Sequence, residues 1–298
     1  IDVLERSLYN GALDGLSLSG DRFFYGNPLA STGKHARKEW FGTACCPSNI
    51  ARLISSLGNY IYGQVGNKIF VNLFVGSQTT FHLQKGDMKF QLETSYPWAG
   101  SILCRVAMTT KEKATIAFRL PGWMGNAPSP GELYKFADST SGKAQLMING
   151  IAFPFKEENG YAIVEREWRD GDRIVYELPM EIRKIHSREE LSQNKSRVAL
   201  QRGPVVYCVE GADNDGQAWN IVVPKSTQFQ TEYFSVLNEP VISLVANLPV
   251  AEPTPDGLSL QTNIKKVRAI PYYTWCNRGS NPMQVWLPAS VKDIKINY

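Results

Sequence analysis

The sequence is short of most features that announce a function. No stretch approaches the ~20 apolar residues needed to span a bilayer. No run of like charge stands out, and 32 Lys and Arg against 28 Asp and Glu leave a net charge of +4. Neither a nucleic acid nor a membrane surface is therefore expected as a partner. There is no nucleophile elbow, phosphate loop or dinucleotide fingerprint. The three histidines, His35, His82 and His186, show no metal-ligand spacing. Glu39, Asp138, Glu157, Glu158, Glu165 and Glu167 form no distinctive carboxylate pair for ordinary glycoside hydrolysis. An initiator Met and a signal-peptide pattern are also absent. Ile1, Leu4 and Leu8 follow helical spacing from the first residue, so the chain is expected to begin inside a helix as a truncated product. Periplasm and cytoplasm both stay open, and so does the oligomeric state, a homodimer included.

Cysteine is scarce and odd in number: Cys45, Cys46, Cys104, Cys208 and Cys276. The spacings fit no disulfide framework. Cys104 and Cys208 sit in strand-like apolar runs and read as buried free thiols. Adjacent Cα atoms lie about 3.8 Å apart, below the usual disulfide range of about 4.4–6.8 Å, so a Cys45–Cys46 bridge would be strained.

Residues 1 to about 66 read as helical with loops. Asp2 to Leu13 has helical character, and a Gly-, Pro-, Ser- and Asn-rich loop follows from Gly20 to Lys34. Ile50, Leu53, Ile54, Leu57 and Ile61 form one apolar helical stripe after Cys46. Pro47 suits its first turn, and Gly63 is expected to end it. Beyond Gly66 the period changes to two, as in Ile69-x-Val71-x-Leu73 and Ile102-x-Cys104-x-Val106. Asn149-Gly150 and Asp170-Gly171 read as hairpin turns. Ala246 to Asp256, with three prolines, reads as a loop. The expected architecture is mixed and predominantly β: helices over 1–66, a β-sandwich over 67–185, and a second β-rich sandwich region over 186–298, separated by the polar stretch after His186.

Chemistry concentrates in Trp40-Phe41-Gly42-Thr43-Ala44-Cys45-Cys46-Pro47-Ser48-Asn49-Ile50-Ala51-Arg52. Two thiols stand just ahead of a helix, whose free N–H groups carry about half a positive charge. That field favours the thiolate, which is both a nucleophile and a soft metal ligand. Two small hydrophobes packed under a helix start is an equally good reading of the same residues. A zinc site usually needs four ligands; Cys45 and Cys46 could supply two, and the rest would have to be Glu39 or His35 nearby or come from sequence missing here.

This stretch resembles the signature of glycoside hydrolase family 127 and its relative, family 146, bacterial β-L-arabinofuranosidases once grouped as a domain of unknown function. Arg197-Val198-Ala199-Leu200-Gln201-Arg202-Gly203-Pro204-Val205-Val206-Tyr207 and Ile270-Pro271-Tyr272-Tyr273-Thr274-Trp275-Cys276-Asn277-Arg278-Gly279 resemble the same group. The resemblance implies the last part of an (α/α)6 barrel followed by antiparallel β-sandwich domains. It implies an enzyme that removes terminal β-L-arabinofuranose from an arabinose-containing oligosaccharide or glycan with retention. By the same resemblance Cys45 is the nucleophile, Cys45 and Cys46 are zinc ligands, and Tyr25, in Arg22-Phe23-Phe24-Tyr25-Gly26-Asn27-Pro28, touches the sugar. The family's remaining zinc ligands and its acid/base glutamate lie earlier than these motifs and have no counterpart here, so the chain by itself is expected to be inactive. Many members carry a further cysteine two places before the pair, where this sequence has Thr43. A carbohydrate-binding or bracing role for the β regions, and a structural zinc or thiol element at Cys45-Cys46, are the alternatives.

Overall fold

The computed structural model describes residues 1–125, 127–140, 142–256 and 259–294. The chain forms two compact units. One unit holds Ile1–Glu5, Arg52–Gly125 and Thr140–Glu181; the other holds Arg6–Ala51, Asn126–Ser139 and Ile182–Tyr298.

The first unit is a two-sheet sandwich. One sheet orders its strands Lys156–Glu158, Tyr161–Trp168, Glu112–Arg119, Lys68–Val71 and Tyr62–Val65. The other orders Ile151–Ala152, Gln145–Ile148, Arg173–Glu177, Ser101–Met108, Asp87–Thr94 and Ser77–His82. All pairs are antiparallel except Lys68–Val71 with Glu112–Arg119. The period-two residues Ile69, Ile102, Cys104, Val106, Ile116 and Phe118 are buried. Rings from facing sheets meet: Phe118 lies 5.1 Å from Tyr176, and Tyr62 lies 5.9 Å from Phe90.

Asn149-Gly150 makes the expected hairpin, with φ of 52° and 81° joining Gln145–Ile148 to Ile151–Ala152. Asp170-Gly171 does not. The strands on either side of it belong to different sheets, so this turn carries the chain across the sandwich. It is held from outside: the Gly171 N–H donates to the Val106 carbonyl at 3.0 Å, and the Asp170 carboxylate accepts from the Met108 N–H at 3.0 Å. The turn chemistry is local, whereas strand pairing is decided by which buried face each strand can join.

The second unit is built on a sheet ordered Gln230–Val236, Glu239–Pro253, Leu260–Pro271, Val205–Glu210, Arg197–Arg202, Ile182–Ser187 and Tyr134–Phe136. Pro282–Gln284 adds to Val205–Glu210 and carries the short strand Ala30–Thr32. Both sheet faces are covered. Val198, Leu200 and Tyr207 pack in one core cluster, Ala199 and Cys208 in another. The central strands therefore read as continuous apolar runs rather than as alternations.

The proline-rich segment expected as a loop is mostly strand. Ala246 to Pro253 continues the long strand Glu239–Pro253, with Pro249 opposite Ile264 and Pro253 opposite Leu260. Its neighbour Gln230–Val236 pairs only as far as Val245, so the prolines lie where one edge is nearly free and no N–H is demanded. Leu248, Val250 and Ala251 are buried, which gives the segment its reason to stay extended.

The N-terminal residues divide into the helix Asp2–Ser7, a π-helical turn Leu8–Ala12, the helix Cys45–Ser55 and the short helix Gly58–Ile61. The apolar stripe thus breaks at Ser56 and Leu57, and Gly63 lies within the strand Tyr62–Val65 rather than at a helix end. Gly15 lets the longer helix approach closely, since a Cβ there would stand 2.4 Å from the Ile50 Cδ1.

Arg37 fixes this arrangement inside the second unit. Buried at 7% exposure, its guanidinium lies 4.2 Å over the Phe24 ring, donates to the carbonyls of Asp14 and Trp275, and stands 3.5 Å from the Asp14 carboxylate. Burial pushes the Asp14 carboxyl up to about 7, against the opposing pull of Arg37. The folded state then holds a proton that the unfolded state has released, so stability falls as pH rises from about 4 to about 7. Urea denaturation across this window should show a loss on the order of 3 kcal/mol, and Asp14→Asn should flatten that slope. An unchanged slope in the variant would show that another group is responsible.

Candidate active site

The thiol pair opens the helix Cys45–Ser55 as its first two residues, one step further in than the sequence pattern suggests. Pro47 occupies the first turn, where its missing N–H costs nothing. The Ser48 hydroxyl donates to the Ala44 carbonyl at 2.8 Å, and the Asn49 amide donates to the Cys45 carbonyl at 2.7 Å. These bonds hold the first turn closed while its N–H groups stay at the positive end of the helix.

Tyr25 reaches the pair from a loop with its own supports. The Phe23 N–H donates to the Lys38 carbonyl at 2.7 Å, and the Lys38 N–H returns the bond at 2.9 Å. Phe24 is buried and stacks on Trp275 at 5.1 Å. The Asn27 amide donates to the Gly11 carbonyl at 3.0 Å. With its neighbours anchored, Tyr25 is left half-exposed, its ring against Phe41 at 5.3 Å. Its hydroxyl lies 3.2 Å from the Cys45 Sγ, and the Cys46 Sγ lies 3.8 Å from the Cys45 Sγ. The structure thus gathers Cys45, Cys46 and Tyr25.

The electrostatics single out one sulfur. The hydrogen bond from the Tyr25 hydroxyl, then that from Cys46, hold the Cys45 thiol below the ordinary cysteine range, with backbone N–H groups adding to the effect. Desolvation first, then the bond to Cys45 and its charge, push the Cys46 thiol up. The bond to Cys45 and its charge push the Tyr25 phenol up to about 12. All three directions favour Cys45, of the two thiols, as the one that ionises first, with the Tyr25 hydroxyl and the Cys46 thiol turned toward it. That is the arrangement of an activated nucleophile.

Two residues considered as additional metal ligands have other partners. The Glu39 carboxylate accepts from Arg22 at 3.0 Å, and the His35 Nδ1 pairs with the Ser31 hydroxyl at 2.9 Å. Among the described residues, no three His, Cys, Asp or Glu side chains are gathered as a metal site. Sequence reasoning gave no role to Phe41, the ring that positions Tyr25, or to Arg37 beneath Phe24. Phe41 stands four residues before Cys45 in the same motif, but only the tertiary contact shows what it does.

Three family profiles match consecutive parts of the chain. The one described as "Beta-L-arabinofuranosidase, GH127 catalytic domain" matches residues 1–59, "Beta-L-arabinofuranosidase, GH127 middle domain" matches 68–180, and "Glycoside hydrolase family 127 C-terminal domain" matches 182–288. A non-reducing end beta-L-arabinofuranosidase of Bifidobacterium longum subsp. longum is 27% identical over 96% of this chain and 44% of its own length. A solved GH127 beta-arabinofuranosidase superposes with a TM-score of 0.94 at 35% identity, covering 99% of this chain and 46% of that one. A GH127 beta-L-arabinofuranosidase from Geobacillus stearothermophilus T6 does so with a TM-score of 0.83 at 34% identity, covering 96% and 46%. The chain therefore spans less than half the length of these relatives. Its three consecutive matches, and the agreement in backbone, place it in glycoside hydrolase family 127.

Proposed function

We propose that this chain carries the nucleophile of a retaining exo-β-L-arabinofuranosidase whose substrate is an arabinose-containing oligosaccharide or glycan. The observation that carries the reading is the Tyr25 hydroxyl 3.2 Å from a Cys45 sulfur at a helix N-terminus. The Cys45 thiolate attacks the anomeric carbon as the glycosidic C–O bond breaks, and the leaving oxygen takes a proton from an acid. Water, giving a proton to the conjugate base of that acid, then attacks the thioglycoside from the opposite face, releases the sugar and returns the electron pair to sulfur. Two inversions give net retention. Tyr25 donates to the sulfur before attack, and with half its surface exposed it also has a hydroxyl to offer the sugar.

The two thiols suit zinc as half of a site. Thiolates are soft ligands, and the two Sγ atoms stand 3.8 Å apart, close enough to share one cation. Cys45 and Cys46 would hold the ion, which when bound keeps a thiol deprotonated near neutral pH. Among the described residues neither thiol has a carboxylate partner; the acid for the leaving group and the remaining ligands are taken to come from outside this chain.

Two outcomes check this. Rates of iodoacetamide alkylation against pH, with the label mapped by mass spectrometry, should place the Cys45 midpoint below that of Cys46. Tyr25→Phe should raise the Cys45 midpoint toward the ordinary thiol value of about 8.5, because the lost bond favours the anion. A midpoint unmoved in this variant would remove Tyr25 from the site. In a second measurement, a bromoacetamide derivative of L-arabinofuranose should label Cys45 at one equivalent, while an aryl β-L-arabinofuranoside should show no turnover by the chain alone. Labelling at Cys46 instead, or turnover at an ordinary enzymatic rate, would overturn the assignment.

A further inference from the structure

A cleft of about 680 Å³ opens in the second unit, and none of Cys45, Cys46 or Tyr25 lines it. It falls within the volume range of small-molecule sites, about 300–1,000 Å³. One wall is the half-buried indole of Trp219, whose N–H donates to the Ser31 carbonyl at 2.8 Å and so fixes the ring. Another is Trp286, held by Tyr134 stacked at 5.7 Å and 27°. The turn Glu190–Asn194 supplies a polar rim.

At this cleft also lies Gln284, 1% exposed. Its Oε1 accepts from the Arg197 guanidinium at 3.3 Å, which sets the amide so that the NH2 faces away from that cation. The Gln284 Nε2 has no hydrogen-bond partner among the described residues. A buried donor left unpaired is costly, a cost that a ligand oxygen would remove once neighbouring side chains shift to admit it. The charges beside the cleft are already engaged. Arg197 donates to the Trp286 and Asp293 carbonyls, and Glu190 accepts from Arg188. Rigid aromatic faces, amide donors and acceptors and no uncommitted charge suit a sugar rather than a phosphate or a carboxylate.

We propose that this cleft binds a neutral oligosaccharide at a site separate from the Cys45 thiol. It rests on the cleft's own residues and stands or falls independently of the Cys45 assignment. Sugar rings lie against Trp219 and Trp286, a hydroxyl accepts from the Gln284 amide, and Asn194 bonds the rim side. Such a site would hold a polysaccharide chain while its ends are processed elsewhere.

The test is titration of the chain with arabinotriose, xylotriose and cellotriose, and with inorganic phosphate as the anionic control, read by tryptophan fluorescence and calorimetry. At least one trisaccharide should saturate, and phosphate should not. Gln284→Leu and Trp219→Ala should weaken binding by about tenfold or more, Asn194→Ala by severalfold. Trp219 also packs against the core, so Asn194→Ala, on the turn, serves as the variant that keeps the parental melting temperature. Cys45→Ala should bind as the parent does. No saturation by any sugar, phosphate competing with the sugars, affinity unaltered in folded Gln284→Leu and Asn194→Ala, or binding lost in Cys45→Ala would each overturn the proposal.

Discussion

A buried guanidinium is the constraint from which the candidate site follows. Arg37 sits among the Asp14 carboxylate and carbonyl, the Trp275 carbonyl and the face of Phe24. A charge in a low-dielectric interior needs partners, and Arg37 finds them through its two terminal nitrogens, its Nε having none among the described residues. Meeting them requires three segments, distant in sequence, to arrive together: the end of the first helical stretch, the loop after Gly20, and the turn at Tyr272–Thr274. Once Phe24 is fixed there, the next residue has little choice of place, and Tyr25 emerges beside the helix that begins at Cys45. The loop conformation is thus set by a core interaction rather than by its own flexible composition.

The chemistry follows from a second constraint, the shortage of partners around two adjacent thiols. Two sulfurs 3.8 Å apart cannot both carry charge cheaply. Tyr25 and the helix end decide which one does. They lower Cys45; desolvation first, then the bond to Cys45 and its charge, raises Cys46, and that same bond and charge raise the phenol. The same separation suits two ligands of one soft cation. Of the two, Cys45 is exposed and Cys46 only partly so.

Much of this was legible in order of sequence. The alternation at Ile102, Cys104 and Val106 gave buried strand positions because period-two apolar residues have only one stable environment, a sheet with one face covered. Asn149-Gly150 gave its hairpin because positive φ at both positions is cheap for those two residues. The pattern failed where local chemistry was overruled. Asp170-Gly171 turns as its residues demand, but its flanking strands join different sheets because their buried faces belong to different partners. The three prolines after Ala246 lie mostly in strand because one edge there asks for few N–H groups. The stripe from Ile50 to Ile61 is helical in spacing yet splits into two helices, and Ile54 on it is still 39% exposed.

The sequence alone determined that two thiols would stand at a helix start, that period-two strands would follow, and that the motifs would occur in the order of family 127. These depend on neighbours within a few residues, whose side-chain periodicity and capping needs are written locally. Only the tertiary structure decided that Tyr25 donates to Cys45, that Phe41 and Arg37 hold it there, and that Gln284 is left with an unpaired amide at an aromatic cleft. Those contacts join residues whose separation in sequence carries no signal, because they are fixed by packing and by the need to satisfy buried charge and amide groups.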